Sequence, residues 1–168
     1  MSRTTTSLAA IAAIAALGLA ACSSGATSSS QSTTSSASEA TQASSVSIEA
    51  NDGTVDIKLP VTRAASLDNR TFEVLAQWNV PLVAAPKKLI PSTITAYNGD
   101  DIADVGMHRD PNLEALVAAE PDLIISGQRF SKYDAQIKEL APDVPLINLE
   151  PRDGKPFNEE LIREVTTL

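Results

Sequence analysis

The feature that most constrains this chain is a recurrence of short apolar runs separated by segments of helical periodicity. Ala64 to Leu67, Pro81 to Ala85, Val144 to Leu149 and above all Leu123-Ile124-Ile125 read as strands. Their runs are continuous rather than alternating, as expected of strands covered on both faces. Asp104 to Gly106 is a further short candidate. Between them, Phe72, Leu75 and Trp78 fall on one side of a helix that Asp68 or Asn69 is placed to cap. Asp110 then reads as an N-cap, with Pro111 at the first helical position and Leu113, Leu116 and Val117 on one face. Tyr133, Ile137 and Leu140 mark the next helix, stopped by Pro142. Asn158 is placed to cap a last one carrying Leu161, Ile162 and Val165. Strands alternating with helices of about ten residues predict an α/β layer on a mostly parallel sheet.

Ahead of this region the pattern has period two. Val46, Ile48 and Ala50 alternate with polar residues, as do Val55, Ile57 and Leu59, and Asn51-Asp52-Gly53 between them suits a tight turn, so a β-hairpin is expected.

The first 45 residues belong to no fold. Arg3 precedes an uncharged apolar run from Leu8 to Leu19, too short to span a bilayer, which ends in Leu19-Ala20-Ala21-Cys22. This end resembles the lipobox of bacterial lipoproteins, whose cysteine is acylated and becomes the mature N-terminus. Residues 1–21 are therefore expected to be a signal peptide, Cys22 a lipid attachment site, and the chain an anchored protein on the outer side of the cell membrane. Fifteen of residues 23 to 45 are Ser or Thr, with Glu39 the single charge. Such a stretch cannot bury enough surface to offset its ordering entropy, so residues 22–45 are expected to be a lipidated tether. Residues 46–168 are left as one domain.

Charge and composition exclude several functions. Removing Arg3 with the leader leaves 12 basic and 21 acidic residues, a net of −9, which opposes nucleic acid as a partner while allowing a local basic site. Cys22 is the sole cysteine and His108 the sole histidine. No nucleophile motif surrounds His108, so no enzyme is expected, and His108 reads as a loop residue bonding locally. A protein-held metal is disfavoured for the same reason. No phosphate-binding glycine motif occurs, and no cofactor is expected. Asp100-Asp101 and Glu159-Glu160 read as solvated surface.

In parallel sheets, ligands bind outside the carboxyl ends of the strands. The turn after Ile125 is therefore informative. There Ser126-Gly127-Gln128-Arg129-Phe130-Ser131-Lys132-Tyr133-Asp134 sets two cations, Arg129 and Lys132, three residues apart at an expected helix start. Cations there oppose the helix dipole, which an anionic ligand would relieve. The same spacing also fits two side chains that merely point into water. Trp78 at helical spacing reads as core, as does Tyr133, whereas Tyr97, beside Asn98-Gly99, reads as either core or cleft.

Several of these pieces resemble the N-terminal lobe of the periplasmic binding proteins that serve iron–siderophore ABC importers. They are Val61-Thr62-Arg63 leading into the first strand, Asp104-Val105-Gly106, Pro111-Asn112-Leu113-Glu114-Ala115-Leu116, Glu120-Pro121-Asp122-Leu123-Ile124-Ile125-Ser126-Gly127 and Glu139-Leu140-Ala141-Pro142. The resemblance covers Val46 to Leu168. It implies one lobe of a two-lobed receptor that captures a ferric siderophore, of catecholate type, and hands it to an ABC permease. It implies Arg129 and Lys132 as ligand contacts and iron carried within the ligand; Tyr97 joins them as a ligand-binding candidate from its loop position alone. Which siderophore, and whether haem or cobalamin instead, stays open. Family members run to about twice this globular length, so a truncated lobe lacking its second half is expected. Such a lobe should bind weakly by itself and expose an apolar face. The alternative is a non-transport surface lipoprotein or degenerate half-receptor acting as an interaction module.

Overall fold

The computed structural model describes residues 44–168. The expected signal peptide, Cys22 and all but the last two residues of the expected tether lie outside the described residues. Those last two already belong to the domain: Ser45 opens the first strand, and the Ser44 carbonyl accepts a hydrogen bond from Leu59 N at 3.0 Å.

Strands β1 (Ser45–Ala50) and β2 (Gly53–Lys58) form the expected antiparallel hairpin. Gly53 takes a positive φ of 112° at the turn, which a side chain would resist. Val46 faces Ile57 and Ile48 faces Val55, so the alternation puts one apolar face on the domain. Asn51 fastens the hairpin tip, its backbone N donating to the Asn148 carbonyl and its Nδ2 to the Glu150 carbonyl.

The chain then alternates as read. It runs through β3 (Ala64–Ser66), α1 (Phe72–Gln77), β4 (Leu82–Ala85), β5 (Ala103–Asp104), β6 (Gly106–Met107), β7 (Asp110–Pro111), α2 (Leu113–Ala118), β8 (Leu123–Ser126), α3 (Asp134–Leu140), β9 (Leu146–Asn148) and α4 (Phe157–Thr167). One five-stranded sheet in the order β5-β4-β3-β8-β9 is parallel throughout. Both its faces are covered. Along β8, Leu123 and Ile125 join the cluster under α1 and the hairpin, while Ile124 joins the one under α2 and α3. That is why the run is apolar without alternation. After β3 the chain steps outward to β4 and β5, then returns to the other side of β3 as β8. The strand order therefore reverses between β3 and β8, and the crevice of such sheets opens at their carboxyl ends.

Four expectations about the elements are corrected. Asp110 and Pro111 are not a helix start. They form β7 and pair with Gly106 and Met107, while Asn112 caps α2 by accepting from Ala115 N at 2.9 Å. Asp68 does not cap α1, because its carboxylate turns inward onto Arg70. Trp78 is not core: α1 ends before it, Asn79 turns the chain with φ 57°, and the indole is 50% exposed. Finally, α4 begins before Asn158 and turns its acids inward. Glu160 and Glu164 are buried, while Ile162 is 64% exposed. Arginines explain this reversal: Arg152 and Arg163 both donate to Glu160, and Arg70 stands beside Glu164.

Candidate functional site

The segment leaving β8 is held at both ends by buried polar groups. Ser126 Oγ donates to Asp134 Oδ1 at 2.5 Å and Asn148 Nδ2 donates to Asp134 Oδ2 at 2.8 Å. The first residue of α3 is thus tied to the ends of β8 and β9. Burial pushes the Asp134 carboxyl up to about 6, against the two hydrogen bonds that favour its charge.

Between these ties lies a 3₁₀ helix, Gln128–Tyr133, where the sequence pattern suggested the start of an α-helix. Residues three apart, as Arg129 and Lys132 are, eclipse on an ideal 3₁₀ helix. The expected opposition to a helix dipole falls away, because α3 starts only at Asp134. Gly127 has an extended backbone, and a Cβ there would meet Asp68 Oδ2 at 2.2 Å. Its neighbour Gln128 adopts φ 50°, an uncommon conformation for a residue with a side chain. Backbone strain of that kind gathers at functional sites.

A second element meets this segment. His108 and Arg109 form the two-residue turn between β6 and β7. Tyr133 Oη donates to the His108 carbonyl at 3.0 Å. The His108 ring stands edge-on to Phe130, 6.4 Å between centroids at 79°. Arg129 Nη1 lies 3.5 Å from His108 Nε2. Loss of hydration and the positive charges of Arg129, Arg109 and Lys132 hold the imidazole below its usual pKa.

Together these loops border an open recess of about 270 Å³ at the switch point. Leu67 and Asn69 line it from the exit of β3, Met107 and His108 from the hairpin, and Gln128, Arg129 and Phe130 from the 3₁₀ helix. Its wall is part apolar and part cationic, the mixture that a ligand with aromatic surface and negative charge requires. Arg109, Arg129 and Lys132 enter no ion pair among the described residues, whereas Arg70, Arg152 and Arg163 are all engaged by carboxylates.

Of the residues singled out from sequence, Arg129 lines the recess. Lys132 is exposed beside it, its Nζ 4.8 Å from the Tyr133 ring centroid. Tyr97 is elsewhere. It is 4% exposed, its hydroxyl donates to the Val80 carbonyl at 2.8 Å, and it packs near Pro81 and Leu82 at the amino end of β4. Burial raises its phenol to about 12. An anion approaching the carboxyl ends does not meet it, so Tyr97 drops out of the candidate contacts. Sequence reasoning missed Asn69, Gln128 and the part of His108. Gly106 and Asp110-Pro111 on either side of Met107-His108-Arg109 were the signal of the hairpin that carries His108. Among the described residues, no group of His, Cys, Asp and Glu is placed to hold a metal ion.

A parallel sheet with a basic, open recess at its switch point defines a ligand-binding lobe of the α/β type. Residues 65–168 match the family described as periplasmic binding protein, and the chain belongs to it. The family is one of binding proteins rather than catalysts, working outside the cytoplasm. The ferric-anguibactin-binding protein FatB of Vibrio anguillarum is 33% identical over 100 residues, 59% of this chain and 31% of that protein. The siderophore-binding protein BauB, solved with ferric iron and two molecules of acinetobactin, superposes with a TM-score of 0.55 at 29% identity over 64% of this chain and 38% of its own. The petrobactin-binding protein YclQ of Bacillus subtilis shares the fold, with a TM-score of 0.61 at 20% identity over 73% of this chain and 43% of its own. The chain thus spans less than half the length of the relatives it matches. No helix among the described residues is long and apolar enough to cross a membrane.

Proposed function

We propose that this chain captures a ferric siderophore for an iron-importing ABC transporter, with Arg129 as the principal anion contact and Lys132 beside it. The observation that carries the reading is the unpaired cationic wall of the recess in a chain of net charge −8. A ferric tris-catecholate has charge about −3 spread over its oxygens, and a guanidinium meets such oxygens with several fixed donors. The iron stays within the siderophore, so the protein needs no ligand to the metal. FatB is described as binding ferric anguibactin, YclQ as binding petrobactin and BauB as siderophore-binding, which supports the same class of ligand. The loaded domain would pass its ligand to a membrane permease while a lipid on Cys22 keeps it at the membrane.

Two charge-assisted contacts contribute roughly 3–6 kcal/mol before association costs, well short of the about 12 kcal/mol of nanomolar binding. The 168-residue chain alone is therefore expected to bind in the micromolar range or more weakly. Equilibrium dialysis against a hexadentate ferric tris-catecholate, read by its visible absorbance, tests this. Arg129→Ala is expected to weaken binding roughly ten- to a hundredfold, the value of one charge-assisted contact. Equal binding by the variant, or equal binding of a neutral ferric trihydroxamate, would refute the assignment.

A further inference from the structure

We propose that His108 is a further ligand contact in the recess and takes up a proton as the anionic complex enters, so that capture is linked to proton binding. The inference rests on the reading of the site given above. A guanidinium carries donors only, so with Arg129 Nη1 3.5 Å away, His108 Nε2 faces it as an acceptor. The neutral tautomer with its proton on Nδ1 is the form that satisfies this contact. The residue is also held in place, by Phe130 against its ring edge and by the Tyr133 hydroxyl on its carbonyl.

The charged and titratable groups around it come from three elements. The 3₁₀ helix supplies Arg129, Lys132 and the phenol of Tyr133, and the hairpin supplies Arg109 and Asp110. The turn Lys87–Leu89, packed on β6, supplies Lys87 and Lys88. Lys87 is committed to the Gly99 carbonyl, and Asp104 accepts from the backbone N–H groups of Lys87 and Gly106. The charges that bear on the ring are Arg129, Arg109 and Lys132, and all three oppose its protonation.

A ligand of charge about −3 reverses the sign of that field. It pairs with Arg129, frees the acceptor face of His108 and favours the imidazolium. Linkage makes the effect reciprocal: whatever factor the anion adds to proton affinity, the proton adds to anion affinity. His108 gains a raised pKa in the complex. Affinity should therefore rise as pH falls from the bound midpoint toward the free one, and be flat outside that window.

The chain's single histidine makes the test direct. Its Cε1–H resonance is followed through a pH titration, with and without a hexadentate gallium(III) tris-catecholate, diamagnetic and of the same charge as the ferric complex. The midpoint is expected to lie below that of a free imidazole in the empty chain. It should rise by about one unit or more on saturation, with a tenfold affinity ratio between the two limits for each unit. His108→Gln should bind at the weaker limit and His108→Lys at the tighter limit, both without the wild-type pH dependence. Comparing the variants with wild type on one probe cancels the probe's own protonation. An unmoved midpoint at saturation, or a His108→Gln profile parallel to wild type, overturns the proposal and leaves the siderophore reading standing. Absence of binding at every pH by the wild-type chain overturns both.

Discussion

Glu164, near the end of α4, has a side chain only 1% exposed, and Asp68 lies fully buried beside it. A single guanidinium serves both carboxyls. Arg70 gives its Nε and Nη2 donors to Asp68 at 3.0 and 2.5 Å, so although Nε is also 3.1 Å from Glu164 Oε2, its hydrogen is not aimed there. Neither oxygen of Glu164 has a hydrogen-bond partner. Burial first, then repulsion from Asp68, pushes the Glu164 carboxyl up to about 8 from an ordinary 4.5. Because the folded pKa is the higher one, the folded state holds an extra proton between these values. Stability from this group is complete below pH 4.5 and is lost as pH rises through about 8. The whole shift corresponds to on the order of 5 kcal/mol, and relaxation of the surroundings around the charge reduces the realised part to roughly 2 kcal/mol. Glu164→Gln keeps the shape but cannot ionise. It is expected to match wild type within about 1 kcal/mol at pH 5 and to exceed it by about 2 kcal/mol at pH 8.5, near 1 M in urea midpoint. Urea unfolding followed by far-ultraviolet circular dichroism at both pH values measures the difference. Asp134 and Glu150, also raised by burial, lower wild-type stability in the same direction, but they are common to both proteins and cancel. Glu160, held down to about 2 chiefly by its hydrogen bond from Arg152, stays ionised throughout this range. A Glu164→Gln protein less stable than wild type at pH 8.5 would refute the reasoning, since it would mean that ionised Glu164 pairs productively with Arg70.

Gly127→Ala is expected to cost about 2–4 kcal/mol, because its Cβ would meet Asp68 Oδ2 at 2.2 Å and Asp68 is held by three hydrogen bonds from Arg70. A loss below about 0.5 kcal/mol in urea unfolding would show that the carboxylate swings aside freely. Cys22→Ser is expected to move the protein from the membrane fraction to the soluble fraction and to abolish incorporation of labelled palmitate, and an unchanged distribution would remove the lipid anchor from the proposed function.

What could be read from the sequence depended on the range of the interaction that decides each feature. The sheet was legible because strand burial is written into consecutive residues: Leu123-Ile124-Ile125 needs no partner to be recognised as covered on both faces. The position of Arg129 was legible for a related reason, since the chain direction of β8 alone fixes which end its loop occupies. Tyr97 was misplaced because its end of the sheet depends on a crossover, and a loop sequence does not say which end it serves. Asp110-Pro111 carries a good helix-start signal, yet its pairing with Gly106-Met107 prevails and the cap shifts to Asn112. The face of α4 was misread because its spacing of Leu161, Ile162 and Val165 is genuinely helical. What turns the helix over is the pairing of Glu160 with Arg152 and Arg163, which the apolar spacing does not announce.

Net charge is the weakest guide to what this surface attracts. The acidic excess of the chain is a sum over the whole molecule, while the field at the recess depends on which cations remain unneutralised. Arg70, Arg152 and Arg163 lock carboxylates into the fold, and Arg63 donates to the carbonyls of Ala119 and Glu120. None of them is available to a ligand. Arg129 is, because the side chain within hydrogen-bond reach of it among the described residues is His108, which supplies no countercharge. That contact leaves a cation uncompensated at the wall of the recess, with no carboxylate that an incoming anion would have to displace.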